Sequence, residues 1–180
     1  GARYALQWLR CRSRDDLRRR MRALRATAEA TYGFIGRSPE QVAGLITGLA
    51  MNPSVLENLR AGFGENLIRF YERARRDDLY LCFAVTPPTG MRATELFPGQ
   101  ERDDPNLQVV AEDDAGVTVS GMKMLATSAV YADEILIGNL TPIAEKFKAE
   151  AITAALPLNA PGLTLWSRKP AAIGLTSEFD

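Results

Sequence analysis

Leu79-Tyr80-Leu81-Cys82-Phe83-Ala84-Val85-Thr86-Pro87-Pro88 is the stretch on which the fold turns. Its first seven residues form a short apolar run that closes on two prolines and begins after the charged segment Arg73 to Asp78. A run of that length, bounded by breakers, predicts a buried strand. Proline cannot donate to a central ladder, so Thr86-Pro87-Pro88-Thr89-Gly90 predicts a loop. Upstream of Asp78 the apolar period is that of a helix. Downstream it is that of strands.

Working back from Asp78, Leu67, Phe70, Tyr71 and Ala74 mark one helix, and Val55, Leu56 and Leu59 mark a short turn of another. Gly62 and Gly64 punctuate between them. Asn52-Pro53 ends a helix whose apolar stripe is Val42, Leu45, Ile46 and Leu49. Ser38-Pro39-Glu40-Gln41 opens that helix, with a cap residue, a proline in the first turn and a glutamine at the third position. Before it, Ser13 and Asp16 form a capping box for a helix carrying Leu17, Met21, Leu24, Ala28 and Tyr32 at helical spacing. Gly33 and Gly36 close it.

Working forward, Leu107–Ala111 and Val117–Thr127 predict a hairpin around the acidic turn Asp113-Asp114-Ala115-Gly116. Glu134–Gly138, Ile152–Pro157 and Leu163–Arg168 predict further strands, the last two around Asn159-Ala160-Pro161-Gly162. Pro142–Ala151 predicts a brief helix. Helices followed by strands give an α+β order rather than alternating βαβ units. The expected architecture is an N-terminal helical domain over 1–78 and a small antiparallel β-barrel or sandwich over 79–180.

Composition narrows the chemistry. Of 180 residues, 22 are basic, 22 acidic and none is histidine, so the formal net charge is zero. No global field favours nucleic acid or a membrane surface. The arginines between Arg10 and Arg25 read either as an anion-binding patch or as a solvated helix face, the second being the usual outcome. Without histidine, Ser-His-Asp and Cys-His catalysis are excluded. Cys11 and Cys82 alone offer neither metal-ligand spacing nor a disulfide framework, which suits a reducing cytoplasm. No apolar run approaches a membrane span, and there is no signal-peptide pattern.

Three stretches together carry a resemblance. They are Thr31-Tyr32-Gly33-Phe34-Ile35-Gly36-Arg37-Ser38-Pro39, then Leu81 to Pro88 followed by Arg92, then Val119-Ser120-Gly121-Met122-Lys123-Met124-Leu125-Ala126-Thr127-Ser128 running on to Ala132-Asp133-Glu134. In order and spacing they resemble the 4-hydroxyphenylacetate 3-hydroxylase family, whose fold is that of acyl-CoA dehydrogenases. The resemblance covers roughly residues 12 to 180 and implies N-terminal helices, a middle β-domain and a C-terminal helical bundle. It places Asp180 inside the β-domain, with the bundle absent. Gly1 to Leu9 resembles the family's opening residues, and Arg12 onward a segment much further along.

The resemblance also implies a chemistry. It is that of the oxygenase component of a two-component monooxygenase, with FAD supplied as FADH2 by a separate NAD(P)H:flavin reductase, O2 as co-substrate and a phenolic substrate. A homo-oligomer, dimer or tetramer, is implied as well. Reduced flavin needs a water-excluding pocket, because its oxygen adduct otherwise decays to peroxide. Cofactor contacts carried over are Phe83, Ala84, Val85, Thr89, Gly90, Met91, Arg92, Thr127 and Ser128. Read without the resemblance, Thr127 is an ordinary hydroxyl-bearing strand residue. Lys123 reads equally as a cofactor cation or as part of a solvated strand face. Arg37 matches an arginine that binds the phenolic substrate and would hold a phenolate or carboxylate by a forked hydrogen bond.

Two positions depart from the family's pattern. Gln41 stands where a tyrosine is expected, and Phe83 where a histidine helps bind the phenol. Gln41 is either a substrate contact or the third residue of the Ser38 capping box. Phenylalanine cannot hydrogen-bond or shuttle a proton, but it can stack on a ring. These changes point to an aromatic substrate other than 4-hydroxyphenylacetate. Alternatives are a truncated or degenerate family member acting as an interaction subunit, or another acyl-CoA dehydrogenase-like flavoenzyme. A dehydratase of the 4-hydroxybutyryl-CoA type needs iron–sulfur ligands that two cysteines and no histidine do not provide.

Overall fold

The computed structural model describes residues 4–35, 40–88, 106–114 and 116–167. Four α-helices come first: α1 (Arg14–Ala30), α2 (Glu40–Met51), α3 (Ser54–Glu57) and α4 (Phe63–Asp77). Five strands follow: β1 (Leu81–Ala84), β2 (Gln108–Asp113), β3 (Gly116–Ser120), β4 (Glu134–Ile137) and β5 (Ala154–Pro157). The α+β order expected from the sequence is the order found.

Helix α1 starts where its capping residues place it. The Ser13 hydroxyl accepts from the Asp16 N–H at 3.1 Å, and the Asp16 carboxylate reaches back to the Arg12 N–H at 3.1 Å. The helix ends at Ala30 with Thr31 as its cap; Tyr32 and Gly33 then take left-handed φ values of +51° and +75°, and the Gly33 N–H closes on the Ala28 carbonyl at 2.9 Å. The Arg12 N–H, followed by the Ser13 hydroxyl, holds the Asp16 carboxyl below its ordinary value of 3.8. A carboxyl with a lowered folded-state pKa adds stability above its unfolded pKa and loses it as pH falls through the folded one. Helicity at 222 nm should therefore drop in a step below about pH 4. Asp16→Asn should remove that step, and its persistence in the variant would assign it to another carboxylate.

Helices α2 and α4 build the first core. Val42, Ala43, Ile46, Thr47 and Ala50 are the buried face of α2, while Leu45 points outward. Leu67, Tyr71 and Ala74 are the buried face of α4, at the three- and four-residue spacing that puts side chains on one stripe. Trp8, fully buried in a 3-10 turn (Leu6–Trp8), pins these helices together. Its indole N–H donates to Asp78 Oδ1 at 3.1 Å, and its carbonyl accepts from the Tyr71 hydroxyl at 2.5 Å. The two rings meet edge to face at 6.2 Å. Thr47, also fully buried, donates its hydroxyl to the Gln7 carbonyl at 3.3 Å. Glu57 of α3 caps α4, accepting from the Gly62 and Gly64 N–H groups at 2.8 and 2.9 Å.

Asp78, with φ +48°, ends α4 and turns the chain into β1. β1 pairs with β4 in parallel, Leu81 opposite Glu134 through Ala84 opposite Ile137, and β4 pairs antiparallel with β5. The sheet β1-β4-β5 is therefore mixed, where an antiparallel barrel or sandwich was expected. The physical reason is the long crossover between β1 and β4, which lets the chain re-enter in the same direction. All four β4 residues are buried, as a strand covered on both faces requires. Hairpin β2-β3 forms a second sheet, with a bulge between Val109 and Ala111. The expected strand over Leu163–Arg168 is not formed at residues 163–167, and the brief helix is the 3-10 segment Glu145–Glu150.

Two apolar clusters result. The first joins Trp8, α2 and α4 to Leu81 and Leu136. The second joins Cys82, Ala84, Ile135 and Ile137 to Leu107, Ala129, Ala132 and Ile152. β1 alternates between them, sending Leu81 to the helices and Cys82 and Ala84 to the β side. Arg73 of α4 clamps the sheet to the helices, with Nη1 at 2.5 Å from Oε1 of the buried Glu134.

Candidate functional site

The sheet's first strand meets the start of α2 at a small cleft. Gln41, Val42, Tyr80, Leu81, Cys82, Phe83 and Thr127 line it. Val42, Leu81 and Cys82 form a buried floor, Tyr80 and Phe83 are half-buried walls, and Gln41 and Thr127 are exposed at the rim. The volume is about 10 Å³, enough for roughly one water. Three residues singled out in the sequence, Gln41, Phe83 and Thr127, are thus brought together from positions far apart in the chain.

Local structure explains the convergence. Gln41 lies in the first turn of α2, whose buried stripe docks on Leu81. Tyr80 is fixed just before β1 by a reciprocal pair: its N–H donates to Asp133 Oδ2 at 2.7 Å, and the Asp133 N–H donates to its carbonyl at 2.8 Å. Thr127 is brought in by the segment after β3. The Met124 N–H donates to the Thr86 carbonyl at 2.8 Å, which ties that segment to the loop following β1. Leu125 and Ser128 take left-handed φ values of +63° and +66°, so the chain curls around Thr127.

The other expected contacts divide in two. Ala84 is buried in the second cluster, Val85 and Ser128 are half-buried, and none of the three lines the cleft. Arg37, Thr89, Gly90, Met91 and Arg92 lie outside the described residues, as do Ser38 and Pro39 of the expected cap. Lys123 Nζ donates to Asn139 Oδ1 at 2.9 Å, and Asn139 donates to the Glu150 carbonyl at 2.7 Å, so this cation belongs to a structural network.

Sequence reasoning passed over Val42, Tyr80, Leu81 and Cys82 as lining residues. Their only signal was position, at the head of the first strand and of the second helix. Burial pushes the Cys82 thiol up from its ordinary value. It is therefore a protonated, weakly polar floor and not a nucleophile. The cleft offers an amide at Gln41, hydroxyls at Tyr80 and Thr127 and a flat apolar wall at Phe83. Such a set can grip the edge of a planar heteroaromatic ring and stack on its face. Among the described residues no cluster of His, Cys, Asp or Glu could hold a metal ion.

Comparison with known proteins bears on this geometry. A family model for the N-terminal part of 4-hydroxyphenylacetate 3-hydroxylase matches residues 1–180. The oxygenase component of 4-hydroxyphenylacetate 3-monooxygenase from Thermus thermophilus is 31% identical over 182 residues, covering 100% of this chain and 36% of that protein. The oxygenase component of 4-nitrophenol 2-monooxygenase from a Rhodococcus species is 32% identical over 157 residues, covering 87% of this chain and 28% of the relative. A crystal structure of an oxygenase component of 4-hydroxyphenylacetate 3-monooxygenase, complexed with FAD and 4-hydroxyphenylacetate, superposes with a TM-score of 0.78 at 30% identity. It covers 90% of this chain and 33% of that one. An archaeal 4-hydroxybutyryl-CoA dehydratase from N. maritimus shares the fold, with a TM-score of 0.73 at 22% identity. The chain spans about a third of the length of these proteins. With a matching family model along its whole length and a fold in common with the oxygenase structures, the chain belongs to the 4-hydroxyphenylacetate 3-hydroxylase family.

Proposed function

We propose that this chain is the front part of the oxygenase component of a two-component, FADH2-dependent monooxygenase that hydroxylates a phenolic substrate. What carries the reading is the meeting of Gln41, Phe83 and Thr127 at one cleft in a chain of this family. The donor set fits a flavin edge, since it supplies a hydroxyl, an amide and an aromatic face without a competing charge. The cleft is far smaller than an isoalloxazine, so it forms one wall of a pocket and not the whole of it.

Bound reduced flavin would supply the oxygen-activating chemistry. The chain's own residues would bind, orient and exclude water. The Thr127 hydroxyl would donate to a ring nitrogen or carbonyl, and Phe83 would cover one face against water. Gln41 would accept from, or donate to, the substrate's phenolic oxygen, a role for which its amide has both groups. Arg37 and the Thr89–Arg92 segment complete the proposal as substrate and cofactor contacts. A separate flavin reductase and homo-oligomerisation belong to it too, as does the division into a helical unit over 1–78 and a β-unit from 79.

Anaerobic titration of the protein carrying this chain with reduced FAD provides the test. Thr127→Val should weaken binding by up to about tenfold, the worth of one hydrogen bond. Phe83→Ala should weaken it comparably through lost stacking and added water. If both variants bind as the parent does, the cleft is not the flavin wall. If the parent binds no flavin, the non-catalytic interaction subunit takes the place of this reading.

A further inference from the structure

β4 is buried along its whole length, and three of its four side chains are apolar. Leu136 belongs to the helical cluster, Ile135 and Ile137 to the second one. No tight turn joins β4 to its parallel neighbour β1. An apolar run that reads alike on both faces does not say which residue should stand opposite which. A slip of one residue would exchange the two faces and move one strand about 3.3 Å along the other.

The register is nonetheless definite, with Leu81 opposite Glu134 through Ala84 opposite Ile137. Two polar contacts at the head of β4 go with it. The Asp133 carboxylate accepts from the Tyr80 N–H at 2.7 Å, and the Asp133 N–H donates to the Tyr80 carbonyl at 2.8 Å. One residue on, the buried Glu134 carboxylate meets Arg73 of α4 at 2.5 Å. A slip of one would turn Glu134 toward the second, apolar cluster and leave its carboxylate buried without the cation. A buried ion pair is a weak source of stability, and choosing one register over another is its best-attested use.

The cleft depends on that register. The segment carrying Thr127 is held to β1 at both ends, by the Met124 N–H on the Thr86 carbonyl and by Asp133 on Tyr80. Between these anchors Ala129 and Ala132 pack into the second cluster. Moving the Asp133 anchor by one residue would shift Thr127 against Tyr80 and Phe83, in a cleft of only about 10 Å³.

We propose that Asp133 and Glu134 are positioning residues of the cleft, which set the register of β4 on β1 and with it the place of Thr127. The consequence for flavin rests on the reading of the cleft as a flavin wall, whereas the register is measured without flavin.

Disulfide trapping with diamide in the protein carrying this chain, mapped by peptide mass spectrometry, reads the register. Cys82 stands opposite Ile135 and shares its cluster, whereas Leu136 points to the other face. Thiols on paired strands are within bridging reach only when they point the same way. Ile135→Cys should therefore link to Cys82, and Leu136→Cys should not. With Asp133→Ala and Glu134→Leu added, the link to Ile135→Cys should fall and one to Leu136→Cys should appear. Asp133→Asn with Glu134→Gln keeps both acceptors and should restore the parent pattern. Without added cysteines, the Asp133→Ala/Glu134→Leu variant should melt within about 5 °C of the parent, because Arg73 is half-exposed and can turn to water. It should still bind reduced FAD about tenfold or more weakly, a split that a loss of stability alone would not produce. The proposal is overturned by an unchanged link pattern in that variant, by failure of the Asn/Gln variant to restore the pattern, or by no link between Cys82 and Ile135→Cys. A switched pattern in a protein whose flavin affinity is unchanged, or which binds no flavin, upholds the register role and overturns the cleft as a flavin wall.

Discussion

Gly121→Ala is expected to lower stability by roughly 2–5 kcal/mol, the sum of backbone strain and overpacking. Gly121 has φ +115°, a region L side chains rarely adopt. A Cβ there would also lie 2.3 Å from the Asn106 carbonyl oxygen and 2.7 Å from its carbon. Those are backbone atoms and cannot swing aside. Asn106 itself is held, since its side-chain amide donates to the buried Glu150 carboxylate. Its backbone runs beside Met122, where the Leu107 N–H donates to the Met122 carbonyl at 3.2 Å. A melting temperature lowered on the order of 10 °C is the expected reading. A melt within a degree of the parent would mean that the two segments do not cross as closely as described.

Trp8→Ala should cost about 3–5 kcal/mol, as large-to-small changes of fully buried aromatics do. The loss has two parts. The indole leaves a cavity between α2 and α4, and Asp78 loses its indole N–H donor. Trp8→Phe restores much of the volume but not the N–H, so it should fall between parent and alanine variant, at about 1–3 kcal/mol. Urea denaturation gives the order directly. An alanine variant as stable as the phenylalanine one would assign the residue's role to the hydrogen bond alone. The effect should reach the cleft, because the cluster around Trp8 also contains Val42 and Leu81, two residues of its floor.

Much of this arrangement is legible in the chain itself. The change of period at Asp78 locates the passage from helix to strand, and Asp78 is the residue whose backbone turns left-handed there. The Ser13 and Asp16 cap is found as read, apart from the carboxylate choosing the Arg12 N–H. What is not legible is non-local. Nothing in Leu81–Ala84 or Glu134–Ile137 states that the two strands run in the same direction, because an apolar run reads alike in either orientation. Periodicity also cannot tell a covered stripe from an uncovered one, and so Leu17 and Met21 look like core while standing in solvent. The cleft is a third case. Gln41 and Thr127 are individually unremarkable polar residues, and only the Met124–Thr86 hydrogen bond and the docking of α2 on β1 make them neighbours.

The same-direction pairing of β1 with β4 has a temporal side. Residues 85–133 must be threaded before the two strands can meet, and closing so wide a chain interval is slow beside forming a helix or a hairpin. Helix α4 and hairpin β2-β3 need only nearby partners and can form early. The floor of the cleft, resting on Leu81 and Cys82, is completed only when β4 arrives. During synthesis the edge of β1 consequently stays unpaired until β4 has been made.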